Sequence, residues 1–180
     1  LNTCLGFDCP NCANYKRKME ADKVSKVVQS ILWKGGEVKF LTGTKAPDVD
    51  DKLSIDQVQG YKSMAIKFIS NYNKDFGTSV ILWMIIEATF SRKVMTREHN
   101  GRLCRPKHYL HVHPHGLVCV PVEDSKHTIS VCEGLKELWV KEISKNGCTF
   151  ADGSQGNLSR FGWRADEINH DNGIVSYLKK

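Results

Sequence analysis

The run His111-Val112-His113-Pro114-His115 sets three imidazoles at alternate positions. Alternate side chains of a β-strand share one face, and next-but-one residues lie roughly 6–7 Å apart. Two neutral imidazoles at that spacing are able to share one divalent ion. An exposed polar strand face accounts for a single histidine. Three in alternation, followed at once by Gly116-Leu117-Val118-Cys119-Val120, point to a metal site. A carboxylate joins them as a candidate: Glu87 closes the apolar run Val80 to Ile86. Within such a strand a carboxylate is costly unless it is paired or coordinates a metal. A salt bridge to Lys or Arg, or a strand end that reaches water, is the plainer alternative. Two imidazoles and one carboxylate leave positions on an ion open to water and phosphate oxygens, which suits phosphodiester chemistry.

Tyr177 lies in Gly173-Ile174-Val175-Ser176-Tyr177-Leu178-Lys179-Lys180. Core packing is the ordinary use of a tyrosine in such a segment. As a nucleophile it would need a phosphate already polarised, because a phenol has a pKa of about 10. Lys180 stands three residues on, on the same helix face, where it would help hold charge.

The N-terminus carries Cys4-(x4)-Cys9-Pro10-x-Cys12. This is close to zinc-ligand spacing but supplies three ligands, so a fourth would be Cys104, a histidine or a residue upstream. Reduced thiols packed in a small knuckle are the alternative. The chain has seven cysteines and no secretory signal, so thiols or metal ligands are expected rather than a disulfide framework. A reducing, cytoplasmic compartment follows as the expectation. Cys119, Cys132 and Cys148 sit in apolar settings that suit core residues.

The elements that must position these groups follow from periodicity. Asn14 to Trp33 has helical spacing, with Val24, Val27, Val28 and Ile31 on one face, and Gly35-Gly36 ends it. Glu37 to Thr44 alternates as a strand. Ile55, Val58, Met64, Ile66, Phe68 and Ile69 mark a long helix to Lys74. Thr78 to Ser91 reads as a buried central strand. Val94 to Lys107 is polar, with Asn100-Gly101 as a turn signal. His108 to Val122 is extended, and Ile129 to Lys145 is a helix. Gly153 to Arg164 reads as a loop with room for a short strand, and a last helix begins at Ile174. Strands and helices mix without regular alternation, which predicts an α+β fold with an antiparallel sheet.

The 180 residues make one globular unit, divided into a Cys-bearing basic segment, 1–36, packed on a domain of 37–180. A chain that starts without Met and stops within a helical pattern reads as a fragment of a longer protein. At 41% hydrophobic and 26% charged, the composition excludes collagen-like and disordered classes. The longest apolar run is too short to span a bilayer, so no membrane partner is expected. The net charge of +6 permits a phosphate-rich partner. Lys16-Arg17-Lys18 to Lys26 and the loop residues Arg92, Lys93, Arg97, Arg102, Arg105 and Lys107 are candidate contacts to a nucleic-acid backbone. Phe161 and Trp163 are candidates for stacking on unpaired bases or for the core.

Taken in order, these features resemble the HUH endonucleases, and within them the rolling-circle replication initiators of Gram-positive plasmids. Phe40-Leu41-Thr42-Gly43-Thr44 is similar to the family's Phe-Leu-Thr-Leu-Thr first motif, with Gly43 where Leu is common. The histidine strand resembles the His-Pro-His-x-His second motif, and the Cys-rich opening and the Tyr-x-x-Lys helix fit the same order. The resemblance implies a small antiparallel sheet of about five strands flanked by helices, in a ferredoxin-like arrangement. It implies a divalent metal, Mn2+ or Mg2+, held by Glu87, His113 and His115, with His111 able to replace one of them. Tyr177 would attack a phosphodiester of single-stranded or supercoiled origin DNA, assisted by Lys180. A host helicase and polymerase would be further partners. A Glu commonly precedes the tyrosine by one turn in the plasmid type; here that position is Gly173. An HUH transposase or relaxase is the nearest alternative. A non-catalytic zinc-dependent nucleic-acid-binding module is the alternative of another class.

Overall fold

The computed structural model describes residues 10–43, 55–91, 98–99, 102–103, 109–145 and 163–168. They form an α+β fold in which helices cover both faces of a small antiparallel sheet. The chain order is α1 (Pro10–Trp33), β1 (Glu37–Gly43), α2 (Ile55–Phe76), β2 (Ile81–Ser91), β3 (Glu98–His99), β4 (Arg102–Leu103) and β5 (Tyr109–Val120). A 3-10 turn (Val122–His127) then leads into α3 (Thr128–Lys145), and β6 (Trp163–Glu167) follows.

The four-stranded sheet has the order β2-β5-β1-β6, and every neighbouring pair is antiparallel. β3 and β4 pair separately as a short ladder on either side of Asn100-Gly101. The expected sheet of about five strands is therefore four strands plus this ladder. A second correction concerns Thr78 to Ser91. Its strand, β2, lies at the edge among the described residues, and the central place belongs to the histidine strand β5. The apolar run of β2 has a simple cause. Leu82, Met84 and Ile86 pack with the α2–α3 core, while Trp83 packs with the α1 cluster on the opposite face. An edge strand covered on both faces carries the same continuous pattern as a central one.

On one face, α2 and α3 bury a core built on helical spacing. Val58, Tyr61, Ala65 and Ile69 of α2 meet Val131, Leu135 and Trp139 of α3 over Leu41, Met84, Val118 and Val120. Tyr61 is wholly buried, and its hydroxyl donates to the Leu135 carbonyl at 3.1 Å. Its ring meets Trp139 edge-on at 5.0 Å and Trp163 at 6.4 Å. Trp163 is thus a core residue, not a surface for bases. Ile66, expected among the helix's apolar positions, is 49% exposed.

On the other face α1 packs Val24 and Val28 against Val38, Leu117 and Cys119. The helix starts at Pro10, four residues earlier than its apolar spacing shows, because proline fits a first helical turn. It stops where Gly35 takes a φ of 81° and the Gly36 N–H donates to the Ile31 carbonyl at 2.9 Å. α2 ends likewise at Gly77, and the Asn73 side chain then holds the entry to β2. It donates to the Val80 carbonyl at 2.8 Å and accepts from the Val80 N–H at 3.0 Å. No helix among the described residues is long and apolar enough to cross a membrane.

Candidate metal centre

α1 packs on one end of its sheet face, and the other end carries the chemistry. Side chains on that face follow from register. Glu87 of β2 is the direct cross-strand partner of His113, and Ile85 is the partner of His115. Across β5, His115 is paired with Thr42 of β1, which is paired in turn with Arg164 of β6. Partners across a ladder share a face, so Ile85, His115, Thr42 and Arg164 form one row with Glu87 and His113 beside it.

Glu87, His113 and His115 converge. Glu87 Oε2 lies 3.1 Å from His113 Nε2 and 3.0 Å from His115 Nε2. The two imidazoles stand edge to face with centroids 4.5 Å apart. One ligand atom from each of the three residues lies within 4.8 Å of the other two. Ligands bound about 2.1 Å from an ion at octahedral to tetrahedral angles stand about 3.0–3.4 Å apart. The carboxylate–imidazole separations already fall in that range, so the three residues fit a divalent ion. The side chains of His113 and His115 are 12% and 8% exposed, against 36% for Glu87. The imidazoles are thus walled in by protein, and the carboxylate borders solvent.

Burial, reinforced by neighbouring His115, lowers the His113 pKa below the usual imidazole value, while Glu87 pulls the other way. A neutral imidazole is the form that ligates metal. Glu87 stands within an edge strand, directly opposite a histidine.

Two residues of the Phe-Leu-Thr stretch complete the setting of His115. The Phe40 ring stacks on its imidazole, centroids 5.4 Å apart and planes 14° from parallel. The Thr42 hydroxyl lies 3.1 Å from its Nδ1. Sequence reading singled out this stretch without giving either side chain a task. The available signal was the period-2 placement of Phe40 and Thr42, which puts both on one face of β1. Beside them lies a shallow apolar depression lined by Phe40, Trp83, Ile85, His115, Gly116 and Leu117. Arg164, also missed, is an exposed cation on this face, bonded to Asp166 at 3.0 Å.

No known protein family, curated protein or solved structure matches the chain. The site is therefore read on its own geometry.

Gly43 has a steric reason on the opposite face. A Cβ there would stand 2.9 Å from Trp139 Cε2 and 3.0 Å from Pro114 Cγ. Trp139 fills the room a larger residue would need. Pro114, lacking an N–H, stands one step beyond the last β1–β5 pair, Thr42 with His115.

The remaining candidates are placed only in part. His111 lies on β5 opposite Thr89, Cys12 lies in α1 and Arg102 in β4, each with its side chain outside the description. Tyr177, Lys180, Cys4, Cys9, Cys104, Cys148, Arg92, Lys93, Arg97, Arg105, Lys107 and Phe161 lie outside the described residues. Cys119 and Cys132 are free thiols, Cys119 buried within the α1 cluster and Cys132 against the main core.

Proposed function

We propose that this chain is a metal-dependent endonuclease of the HUH type, which nicks and rejoins single-stranded DNA at a replication origin. One observation carries the reading: an edge-strand carboxylate and two central-strand imidazoles meet on one sheet face. The donor set of two nitrogens and one oxygen suits Mn2+ and accepts Mg2+ less readily. Bound there, the ion supplies Lewis-acid polarisation of a phosphate oxygen. His113 and His115 hold it from β5, and Glu87 holds it from β2.

Tyr177 supplies the nucleophile in this reading. Its phenolic oxygen forms a bond to phosphorus and gives up its proton, while the bond from phosphorus to the 3′ oxygen breaks. The 3′ oxygen takes up a proton to become a hydroxyl, and the 5′ side stays joined as a phosphotyrosine. Lys180 offsets charge near the reacting phosphate. The apolar depression bounded by Phe40, Trp83 and Ile85 offers an unpaired base a surface beside the site, where stacking is worth about 1–3 kcal/mol. Arg164, exposed in the same row of the sheet, is a candidate contact to a backbone phosphate.

Incubation with a pool of single-stranded oligonucleotides and Mn2+ tests the reading. Cleavage that needs the metal and disappears in Glu87→Gln supports it. Tight DNA binding without cleavage at any metal concentration overturns it in favour of a non-catalytic module.

A further inference from the structure

Thr42 sits on the side of His115 away from the nitrogen that faces Glu87. Resting on the metal reading above, we propose that Thr42 is a positioning residue for that site: its hydroxyl accepts the Nδ1–H of His115 and thereby presents the Nε2 lone pair to the ion.

The argument starts from the two nitrogens of one ring. His115 Nε2 faces Glu87 Oε2 at 3.0 Å, and Nδ1 faces Thr42 Oγ1 at 3.1 Å. Without metal, an Nε2–H donates to the carboxylate, and Nδ1 accepts from the threonine hydroxyl. Ligation through Nε2 needs that nitrogen's lone pair, so the ring proton must reside on Nδ1 instead. A hydroxyl both donates and accepts, so Thr42 satisfies each tautomer by turning one O–H bond. Valine at this position would satisfy neither. The loss is larger in the bound state, because a cation on Nε2 draws electron density from the ring and makes Nδ1–H a stronger donor. The His115 side chain is 8% exposed, which leaves water little access to replace the partner.

Geometry limits the ring's other freedoms. Phe40 lies parallel to the imidazole at 5.4 Å and restricts its tilt. Thr42 is the direct ladder partner of His115, so the contact is set by backbone register and does not depend on a long, mobile side chain. The pattern is that of an outer partner that fixes a ligand's tautomer and orientation. Loss of such a partner typically lowers metal affinity by about 10- to 100-fold.

Mn2+ binding by the full chain, followed by the paramagnetic resonance signal of the free ion, tests this directly. Thr42→Val should weaken binding by about 10- to 100-fold. Thr42→Ser, which restores a hydroxyl, should return affinity to within about threefold of wild type. Equal Mn2+ affinity in wild type and Thr42→Val overturns the inference while leaving the metal site standing. A wild type that binds no Mn2+ overturns the metal reading and the inference with it. A second measurement needs no variant. Nitrogen NMR of wild type loaded with Zn2+ should show His115 protonated at Nδ1 and ligating through Nε2. The reverse tautomer contradicts the proposal even if Thr42→Val fails to fold.

Discussion

Thr42 and His115 are direct partners across the β1–β5 ladder, and the Thr42 hydroxyl stands 3.1 Å from His115 Nδ1. The other nitrogen of the same ring faces Glu87 from the strand on the opposite side. The central strand thus has one imidazole held from both neighbours. β2 supplies the negative charge, and β1 supplies the hydroxyl and the Phe40 ring. A side chain fixed in this way would lose little freedom on ligating an ion, which is the condition for a preorganised site.

Metal affinity should depend on pH with a definite sign. Protons compete with the ion for imidazole nitrogens, so binding weakens as pH falls. Burial and neighbouring His115 hold the His113 pKa below its ordinary value. An exposed histidine is half protonated at about pH 6.5, where more than half of His113 is neutral. Mn2+ affinity should therefore stay nearly level from about pH 8 to about pH 7 and fall only below about pH 6.5. Calorimetric titrations across that range check it. A tenfold loss between pH 8 and 7 would contradict the neutral-ligand account.

The Gly43–Trp139 contact predicts a coupled pair of stability changes. Trp139 is fully buried, and truncation to alanine should cost about 3–5 kcal/mol. Gly43→Ala forces a methyl against the indole and Pro114 and should cost about 1–3 kcal/mol. With Trp139→Ala already present, the indole atoms at 2.9 and 3.1 Å are gone, while Pro114 Cγ at 3.0 Å remains. The double variant should then be more stable than the sum of the single changes requires. Urea melts of the three proteins give the comparison, and strict additivity would show that the indole does not limit this position.

The helix faces, the α+β class and the alternation of the histidine strand were legible because each is a local pattern. Val24 and Val28, or Val131, Leu135 and Trp139, read as stripes whatever they touch. Other features were not legible. The edge position of β2 was hidden because α1 on one face and α2 with α3 on the other give Leu82, Trp83 and Met84 the same apolar surroundings a central strand provides. The tasks of Phe40 and Thr42 were hidden because they depend on which strand pairs with β5 and in what register. Thr42 and His115 are 73 residues apart in sequence, and no periodicity reports a contact of that span. Tyr61 was passed over for a third reason. Its hydroxyl reads as polar, yet the Leu135 carbonyl accepts its hydrogen bond inside the core.

Two thiols should be chemically quiet in the folded protein. Burial pushes Cys119 up to about 12 and Cys132 up to about 11. Thiolate is the reactive form, and a free cysteine titrates near about 8.5. At about pH 8, alkylation of these two positions should be slower in native protein than in urea by about a hundredfold or more, given their small thiolate fraction. Peptide mapping by mass spectrometry separates them from the other cysteines. Equal labelling rates with and without urea would mean that these sites open readily.

The covalent link between protein and DNA is the most direct test of the mechanism. Wild-type protein, Mn2+ and a cleavable single-stranded oligonucleotide labelled at its 3′ end should give a band that survives denaturing electrophoresis. Tyr177→Phe removes only a hydroxyl; it should abolish that band while leaving DNA affinity within about twofold, since affinity rests on phosphate contacts. His115→Ala should abolish it as well, through loss of the ion. Mass spectrometry of the trapped wild-type species should place the phosphodiester on the peptide that contains Tyr177. An adduct that persists in Tyr177→Phe, or that maps to another residue, would contradict the assigned nucleophile. Cleavage that proceeds at the same rate in chelator would contradict the metal centre on which the whole account depends.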